Sequence, residues 1–509
     1  MPRKVTRVSI HLNPRPDAAV CAALAADFDA ANFRSEPLRT AWGAEADDAL
    51  VRGIRSPIVR ALQGRTDALA TLARLFVVGM PQPRDDVAAA LPRTTLEGLR
   101  AVGLAAEDDD VVVPAALVRP QSFLDGDGVG EWWIASDLDE VALGGAIAAD
   151  HVLGVGGAST TLAEVVVPTP VARALDVGTG CGIQALLLSR RAEYVVATDV
   201  SQRALAYAEI NALLAGIRNI EFRHGSMFEP VAGESFDLVV SNPPFVITPR
   251  NDAVPTYEYR DGGLAGDRLI EQLVHEAPQF LTPGGVAQFL GNWESNTEHD
   301  GIDRLRSWVP DGTDAWVVER EQLTPLAYAE MWVRDGGITT LDTRFEQLLH
   351  AWLDDFAARN VSSIGFGYVL LRRPDAGDRA PLARYERVEQ PLANPGRALE
   401  NGLIAWDALA DGLPERLVVA ADVTEARHHM PGHDAPRVIE LRQGGGFCRT
   451  VQVDPALAGI VGACDGELTV SQIVAAVAQL LEVDAHELWD EVEPQLRELF
   501  VNGFVVTAE

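Results

Sequence analysis

The chain has 509 residues, 47% of them hydrophobic and 23% charged, with a formal net charge of −32. That length allows roughly three domains, the composition excludes intrinsic disorder, and no apolar run nears the ~18 residues of a membrane span. So negative a surface repels phosphate backbones at long range, which disfavours unspecific nucleic-acid binding while leaving room for a local basic face.

The first seven residues have no apolar stretch behind them, so a secretory signal is not expected. Cys21, Cys181, Cys448 and Cys464 lie far apart and form no Cys-x-x-Cys pair, which fits a reducing cytoplasm rather than a disulfide framework or zinc knuckle. Lys4 is the only lysine among the basic residues, the rest being Arg, and with abundant Ala, Gly and Pro this suggests a GC-rich bacterial genome.

In chain order, residues 1–118 read as a helical and winged-helix-like domain. Apolar positions recur at helical spacing over Ala18–Phe28 and Leu69–Val78. Asp85–Leu91 and Thr95–Val102 follow as short helices, then strands Leu104–Ala106 and Val111–Leu117 around the acidic turn Asp108-Asp109-Asp110. The second helix carries one Glu and one Arg, and the wing tip is acidic. A structural or substrate-facing role is therefore favoured, with nucleic-acid contact as the alternative. Residues 119–150 read as a bridging segment, with turn signals at Asp125-Gly126-Asp127-Gly128 and a strand at Glu131–Ser136.

From 151 to 373 strands and helices alternate, the pattern of an α/β domain with a parallel, doubly wound sheet. Strands are expected at Ala172–Val177, Tyr194–Asp199, Ile220–His224, Phe236–Ser241, Val286–Leu290 and, last, Val361–Arg372. Helices are expected at Gly182–Arg191, Arg203–Ala215 and Asp267–Phe280. Residues 374–398, with Pro374, Pro381, Pro391 and Pro395, read as a linker. Residues 399–509 read as an α+β, winged-helix-like module with helices Thr469–Leu481 and His486–Phe500 and a closing strand Phe504–Thr507. A flexible linker at 374–398 predicts that removing this module spares cofactor binding.

Three motifs carry chemistry. Strand Ala172–Val177 runs into Gly178-x-Gly180-x-Gly182, where backbone without a Cβ can approach a ligand closely. The third glycine comes one residue earlier than in the dinucleotide fingerprint, and Asp176 stands just before the first. An acid there repels a phosphate and attracts the ammonium of a methionine moiety, directly or through water. Asp199, 23 residues past Asp176, is placed to accept from both hydroxyls of a ribose. Ser226 and Met227 follow the third strand, where adenine would lie; Met227 and Phe228 can equally be core. These residues point to S-adenosylmethionine. The alternative for the glycine loop is a tight turn with no ligand.

Asn242-Pro243-Pro244-Phe245 ends the fourth strand, in the region where open α/β sheets bind ligands. The Asn242 side-chain oxygen and the Pro243 carbonyl can each accept one N–H from a planar amide or amino group, and Phe245 can stack on its plane. Held so, the nitrogen turns its lone pair toward a sulfonium methyl, and positioning and electrostatics drive an in-line displacement. The alternative is a rigid turn.

Val240–Pro249 resembles the HemK family, which methylates glutamine side chains in release factors and related proteins. Asp261-Gly262-Gly263-Leu264-Ala265-Gly266-Asp267 and Leu281-Thr282-Pro283-Gly284-Gly285 match that family's later landmarks. The resemblance covers roughly residues 170–292 and implies a Rossmann-like class I methyltransferase domain using S-adenosylmethionine. It departs at Ser226, where many relatives carry Asp, and at Phe245, where they usually carry Tyr. Ribosomal RNA guanine and DNA adenine methyltransferases share the Asn-Pro-Pro-aromatic element. The expected activity is thus N-methylation of a planar nitrogen, foremost a protein glutamine. Alternatives are a nucleic-acid base, a specialised metabolite or peptide, and a cofactor-binding regulator without turnover.

Two segments remain. Gly154–Leu162 precedes the first strand and is expected either to cover cofactor or substrate or to be an ordinary loop. His428, His429 and His433 read as a solvated loop, with a metal site as the alternative, and no metal is assigned.

Overall fold

The computed structural model describes residues 12–125, 128–144, 147–251, 254–375 and 379–508; residues 1–7 and the predicted turn residues Gly126 and Asp127 lie outside them. Its centre is an eight-stranded sheet. The strands are β1 (Val171–Val177), β2 (Ala192–Asp199), β3 (Ile220–His224), β4 (Phe236–Ser241), β5 (Leu281–Asn296), β6 (Asp314–Leu323), β7 (Val361–Arg372) and β8 (Ala383–Arg387). Their spatial order is β8-β6-β7-β5-β4-β1-β2-β3. All neighbours pair in parallel except β7, which runs antiparallel to β5 and β6 on either side.

The inner strands are apolar on both faces because both faces are covered. Ala174, Leu238 and Val240 belong to one cluster, and their neighbours Leu175 and Val239 to the cluster on the opposite face. Helices α1 (Ile183–Leu188) and α2 (Gln202–Leu214) follow β1 and β2. Gly182 precedes α1 at φ +88°, and a Cβ there would lie 2.8 Å from the Ala208 methyl. Only glycine permits both that backbone and that approach of α2.

Strand Val361–Arg372 is not the last of the sheet, as the sequence reading has it. It inserts between β5 and β6, and β8 adds a further edge strand beyond residue 373. The segment expected to be a linker thus contains a sheet strand. A run of five residues between prolines is too short for periodicity to separate strand from loop. Between β6 and β7 two further helices, α3 (Pro325–Asp335) and α4 (Phe345–Ala358), form a hairpin. They pack with Val246, Ile247 and Val254, just past the Asn-Pro-Pro-Phe turn.

The expected bridging segment is also ordered structure. Val111–Pro114 lies in a three-stranded sheet with Gln82–Pro83 and Ala105–Asp108. Ala116–Asp125 then pairs along its full length with Gly128–Asp137 as a long hairpin. The predicted strand Val111–Leu117 is therefore two strands, separated at Ala115. The hairpin docks on α2 through Asn211, which is fully buried. Its amide donates to the Ala135 carbonyl (3.0 Å) and the Cys181 carbonyl (2.8 Å) and accepts from the Ala135 N–H (2.7 Å). Asn211→Ala orphans three buried backbone groups and is expected to cost about 3 kcal/mol, read as a shift of the denaturant midpoint at unchanged m-value.

The C-terminal elements share one continuous core with the sheet, from Ala174 through Trp316 and Leu370 to Val505. Helix α5 (Pro395–Ala408) presses Gly402 against the Trp316 ring, where a Cβ would stand 2.5 Å from it. Arg449 grips Glu386 with two 2.7 Å bonds, and Arg372 grips Asp407 at 2.7 and 2.8 Å. The predicted helices are present as Val470–Leu481 and Ala485–Val501, and Val505–Thr507 pairs with Leu417–Val419. His428 and His429 end a strand, Val423–His429, paired with Pro436–Gln443, rather than lying in a loop. His428 contacts Glu440 at 3.2 Å, and no cluster of His, Cys, Asp and Glu among the described residues could hold a metal ion. No described helix is long and apolar enough to cross a membrane.

Candidate functional site

The C-terminal ends of β1, β2 and β4 and the turn after β3 open onto one cavity of about 330 Å³. The loop after β1 is fixed from behind. Gly178 and Thr179 both donate their N–H to the Thr198 carbonyl at 2.9 Å. Asp176, fully inside, accepts from the Thr179 hydroxyl (2.6 Å) and the Ala185 N–H (3.0 Å) through one oxygen; the other has no partner. Burial pushes this carboxyl up to about 7. Asp176 does not line the cavity. It underpins the glycine loop, so the direct contact with a ligand ammonium expected from the sequence is not available from this position.

Gly178 and Gly180 do line it, at φ +73° and +56°, and a Cβ on either would meet nothing within 4 Å. Side chains there would occupy the cavity itself. Asp199 lines the next wall. One oxygen accepts from Gly180 N–H (2.9 Å) and the other from Ser201 N–H (2.8 Å), and each keeps a lone pair for a ligand. Burial raises its carboxyl above the ordinary value. Ser226 and Met227 line the far end, Met227 in the left-handed region at φ 50°. Phe228 turns into the core and stacks on Phe280 at 4.4 Å.

At the end of β4, Ser241 donates to the Val177 carbonyl (2.8 Å), tying β4 to β1. Asn242, Pro243 and Pro244 line the cavity beside the glycine loop, and the Asn242 side-chain oxygen is buried without a partner. Phe245 does not line it. Its ring packs where three apolar clusters meet, and its backbone bridges to Asp261, so the stacking face expected from the sequence is engaged by the core. The following loop is clamped: Ile247 N–H donates to the Tyr328 hydroxyl of α3 at 3.0 Å, as does the Asn292 amide at 2.8 Å.

Sequence reasoning missed several lining residues: His151, Gln184, Glu258, Tyr259 and Leu269. Asp261, quoted above only as a landmark, also lines it, with its carboxylate held by Arg250. Gly154 and Ser159 line it as well, and Gln184 donates to the Ser159 carbonyl at 2.7 Å, fastening helix Gly157–Val165 over the site. The site suits a nucleoside carrying a cationic sulfonium: a glycine cradle with open space, an acidic wall at Asp199, and Asn242, whose side-chain oxygen lacks a partner.

Comparison with known proteins agrees with this geometry. Residues 153–304 match the methyltransferase small domain, and residues 30–116 match a domain of unknown function (DUF7059). The release factor glutamine methyltransferase of Geobacter sulfurreducens is 39% identical over 137 residues, 24% of this chain and 48% of that protein. A Methanocaldococcus jannaschii protein provisionally named as an N5-glutamine methyltransferase is 32% identical over 135 residues, 26% of this chain and 67% of that one. The ribosomal protein uL3 glutamine methyltransferase of Bordetella pertussis is 36% identical over 170 residues, 31% of this chain and 57% of that protein. The chain thus spans between about half and two thirds of the length of these relatives, and most of its own length lies outside the matches.

Proposed function

Because the chain belongs to the HemK-like class I methyltransferases, we propose that it methylates a planar nitrogen, the side-chain amide of a protein glutamine, using S-adenosylmethionine. The observation that carries the reading is Asn242, which lines a glycine-cradled cavity and whose side-chain oxygen is a buried acceptor with no partner inside the protein. An unmet acceptor of that kind is costly unless a ligand supplies the N–H.

In this reading Asn242 and the Pro243 carbonyl take the two amide N–H groups and turn the nitrogen lone pair into the cavity. Bound S-adenosylmethionine supplies an electrophilic methyl on a sulfonium. With that group bound, the amide nitrogen would take the methyl as the carbon–sulfur bond breaks, its electron pair staying on sulfur and one N–H proton leaving to solvent. Asp199 would hold the ribose and Ser226 and Met227 would border the adenine, while Asp176 acts through the loop it supports. Phe245 contributes to the shape of the turn.

We read the two flanking modules as winged-helix-like elements that present the protein partner. The helix-helix-sheet order at Arg84–Pro114 and at Val470–Thr507 supports this. The net charge of −32 favours a protein partner over nucleic acid. Asp199→Ala is expected to weaken S-adenosylmethionine binding at least ten-fold, since a charge-assisted hydrogen bond is worth roughly 1.5–3 kcal/mol. Unchanged calorimetric affinity in a folded variant would remove Asp199 from the site.

A further inference from the structure

His151 is used by nothing above, yet it lines the cavity. It is 6% exposed, and among the described residues its imidazole makes no hydrogen bond. Its main chain is firmly placed. The His151 N–H donates to the Ala148 carbonyl (3.3 Å), and the next residue's N–H donates to Asp137 at 2.9 Å. Asp137 is in turn held by Arg203 (2.9 Å from Nε) and by the Tyr207 hydroxyl (2.9 Å). Arg203 and Tyr207 both belong to α2, the helix that begins directly after Asp199.

The ring is placed as well. It meets Tyr259 edge to face at 5.9 Å, and the neighbouring Glu258 N–H donates to the Ala149 carbonyl at 3.0 Å. Glu258 and Tyr259 line the same cavity as Asp199, so the junction of 149–151 with 257–259 forms part of its wall. Burial holds the imidazole below its ordinary value, with Arg203 acting in the same sense and Asp137, Glu140 and Asp139 opposing. It is neutral at pH 7 and offers one N–H donor and one bare nitrogen.

We propose that His151 is a second ribose contact on the wall of this cavity. The assignment rests on the S-adenosyl reading of the cavity. A carboxylate such as Asp199 can only accept from the two hydroxyls. A neutral imidazole supplies the donor that their oxygens otherwise lack, and a buried, unpartnered ring is stabilised once such a group arrives. Tyr259 fixes the ring plane, and the Asp137–Arg203–Tyr207 network fixes the chain beneath it.

The test is calorimetry of S-adenosylmethionine and S-adenosylhomocysteine with the full chain as wild type, His151→Phe, His151→Gln and Asp199→Ala, each with its melting temperature. His151→Phe keeps the ring contact with Tyr259 but loses both nitrogens. It is expected to bind both ligands roughly three- to ten-fold more weakly at a melting temperature near wild type, and His151→Gln to recover most of the loss. Loss of affinity on removing Asp199 but none in His151→Phe would overturn this inference alone. A folded wild type that binds neither ligand would overturn the cofactor reading instead. Equal loss in Phe and Gln variants with lowered melting temperatures would make His151 a packing residue and end the proposal.

Discussion

Asn242→Ala is expected to lower turnover on the order of 100-fold or more while changing S-adenosylmethionine affinity by less than about two-fold. The asymmetry follows from where the side chain stands. Its oxygen has no partner in the cavity wall, so removing it breaks no internal hydrogen bond involving that atom. The contacts proposed for the cofactor lie on Gly178, Gly180 and Asp199, which are fixed independently through Thr198 and Ser201. What is lost is the acceptor that orients an acceptor nitrogen whose lone pair is otherwise delocalised into its carbonyl. Asn242→Asp is a useful companion, because it keeps an acceptor but adds a charge to a cavity that Asp199 already lines. Single-turnover rates at saturating cofactor separate the two contributions. Near-normal turnover in the alanine variant would reduce the tetrapeptide to a structural turn.

The second large effect concerns the C-terminal elements. Ending the chain after Asn394 is expected to leave no soluble, cooperatively folding protein, contrary to what a flexible linker predicts. Trp316 packs on Gly402 and stacks on Phe447, and Val318 and Leu370 are buried in the same core cluster as the residues beyond 394. At ~2 kcal/mol for each large apolar side chain returned to water, they alone forfeit about 6 kcal/mol, a large part of the ~5–15 kcal/mol that holds a domain together. Glu386 and Arg372 also lose Arg449 and Asp407 as partners and are left with Arg384 and Asp314 alone as charged partners, so two buried charge networks are weakened. Size-exclusion chromatography and circular dichroism of the truncated chain read the outcome directly. A monomeric, cooperatively melting fragment with wild-type cofactor affinity would restore the picture of a dispensable module.

Much of the central domain is legible in sequence because its signals are local. The apolar run of β1, the glycines after it, Asp199 at the end of β2 and the Asn-Pro-Pro turn after β4 each sit at a strand terminus, where residue type is dictated by backbone geometry. The structure brings Gly178, Gly180, Asp199, Ser226, Met227, Asn242 and Pro243 onto one cavity. Gly182, Asp176 and Phe245 are the exceptions, and Gly182 serves instead the close packing of α2. Whether a carboxylate faces the ligand or braces the loop from below depends on a side-chain rotation toward Thr179 that spacing does not encode. Phe245 is drawn away by an apolar junction assembled from α3, α4 and β7, elements distant in sequence. The same reason hides His151 and Tyr259: they reach the cavity from segments that surround the motifs only in three dimensions. Strand β8 and the hairpin Ala116–Asp137 were obscured by prolines and by a missing break at Ala115, since periodicity over so few residues does not separate a strand from a loop.

The most direct test of the central claim is methyl transfer from labelled S-adenosylmethionine into a native bacterial lysate, with wild-type protein and Asn242→Ala in parallel. The wild type is expected to place label in the protein fraction, where it survives nuclease, is released as small peptides by protease, and maps as a single methyl on a glutamine side chain. The alanine variant is expected to leave that peptide unlabelled. Label that is released by nuclease or travels with small molecules, or that appears equally with both proteins, would contradict glutamine methylation at this site.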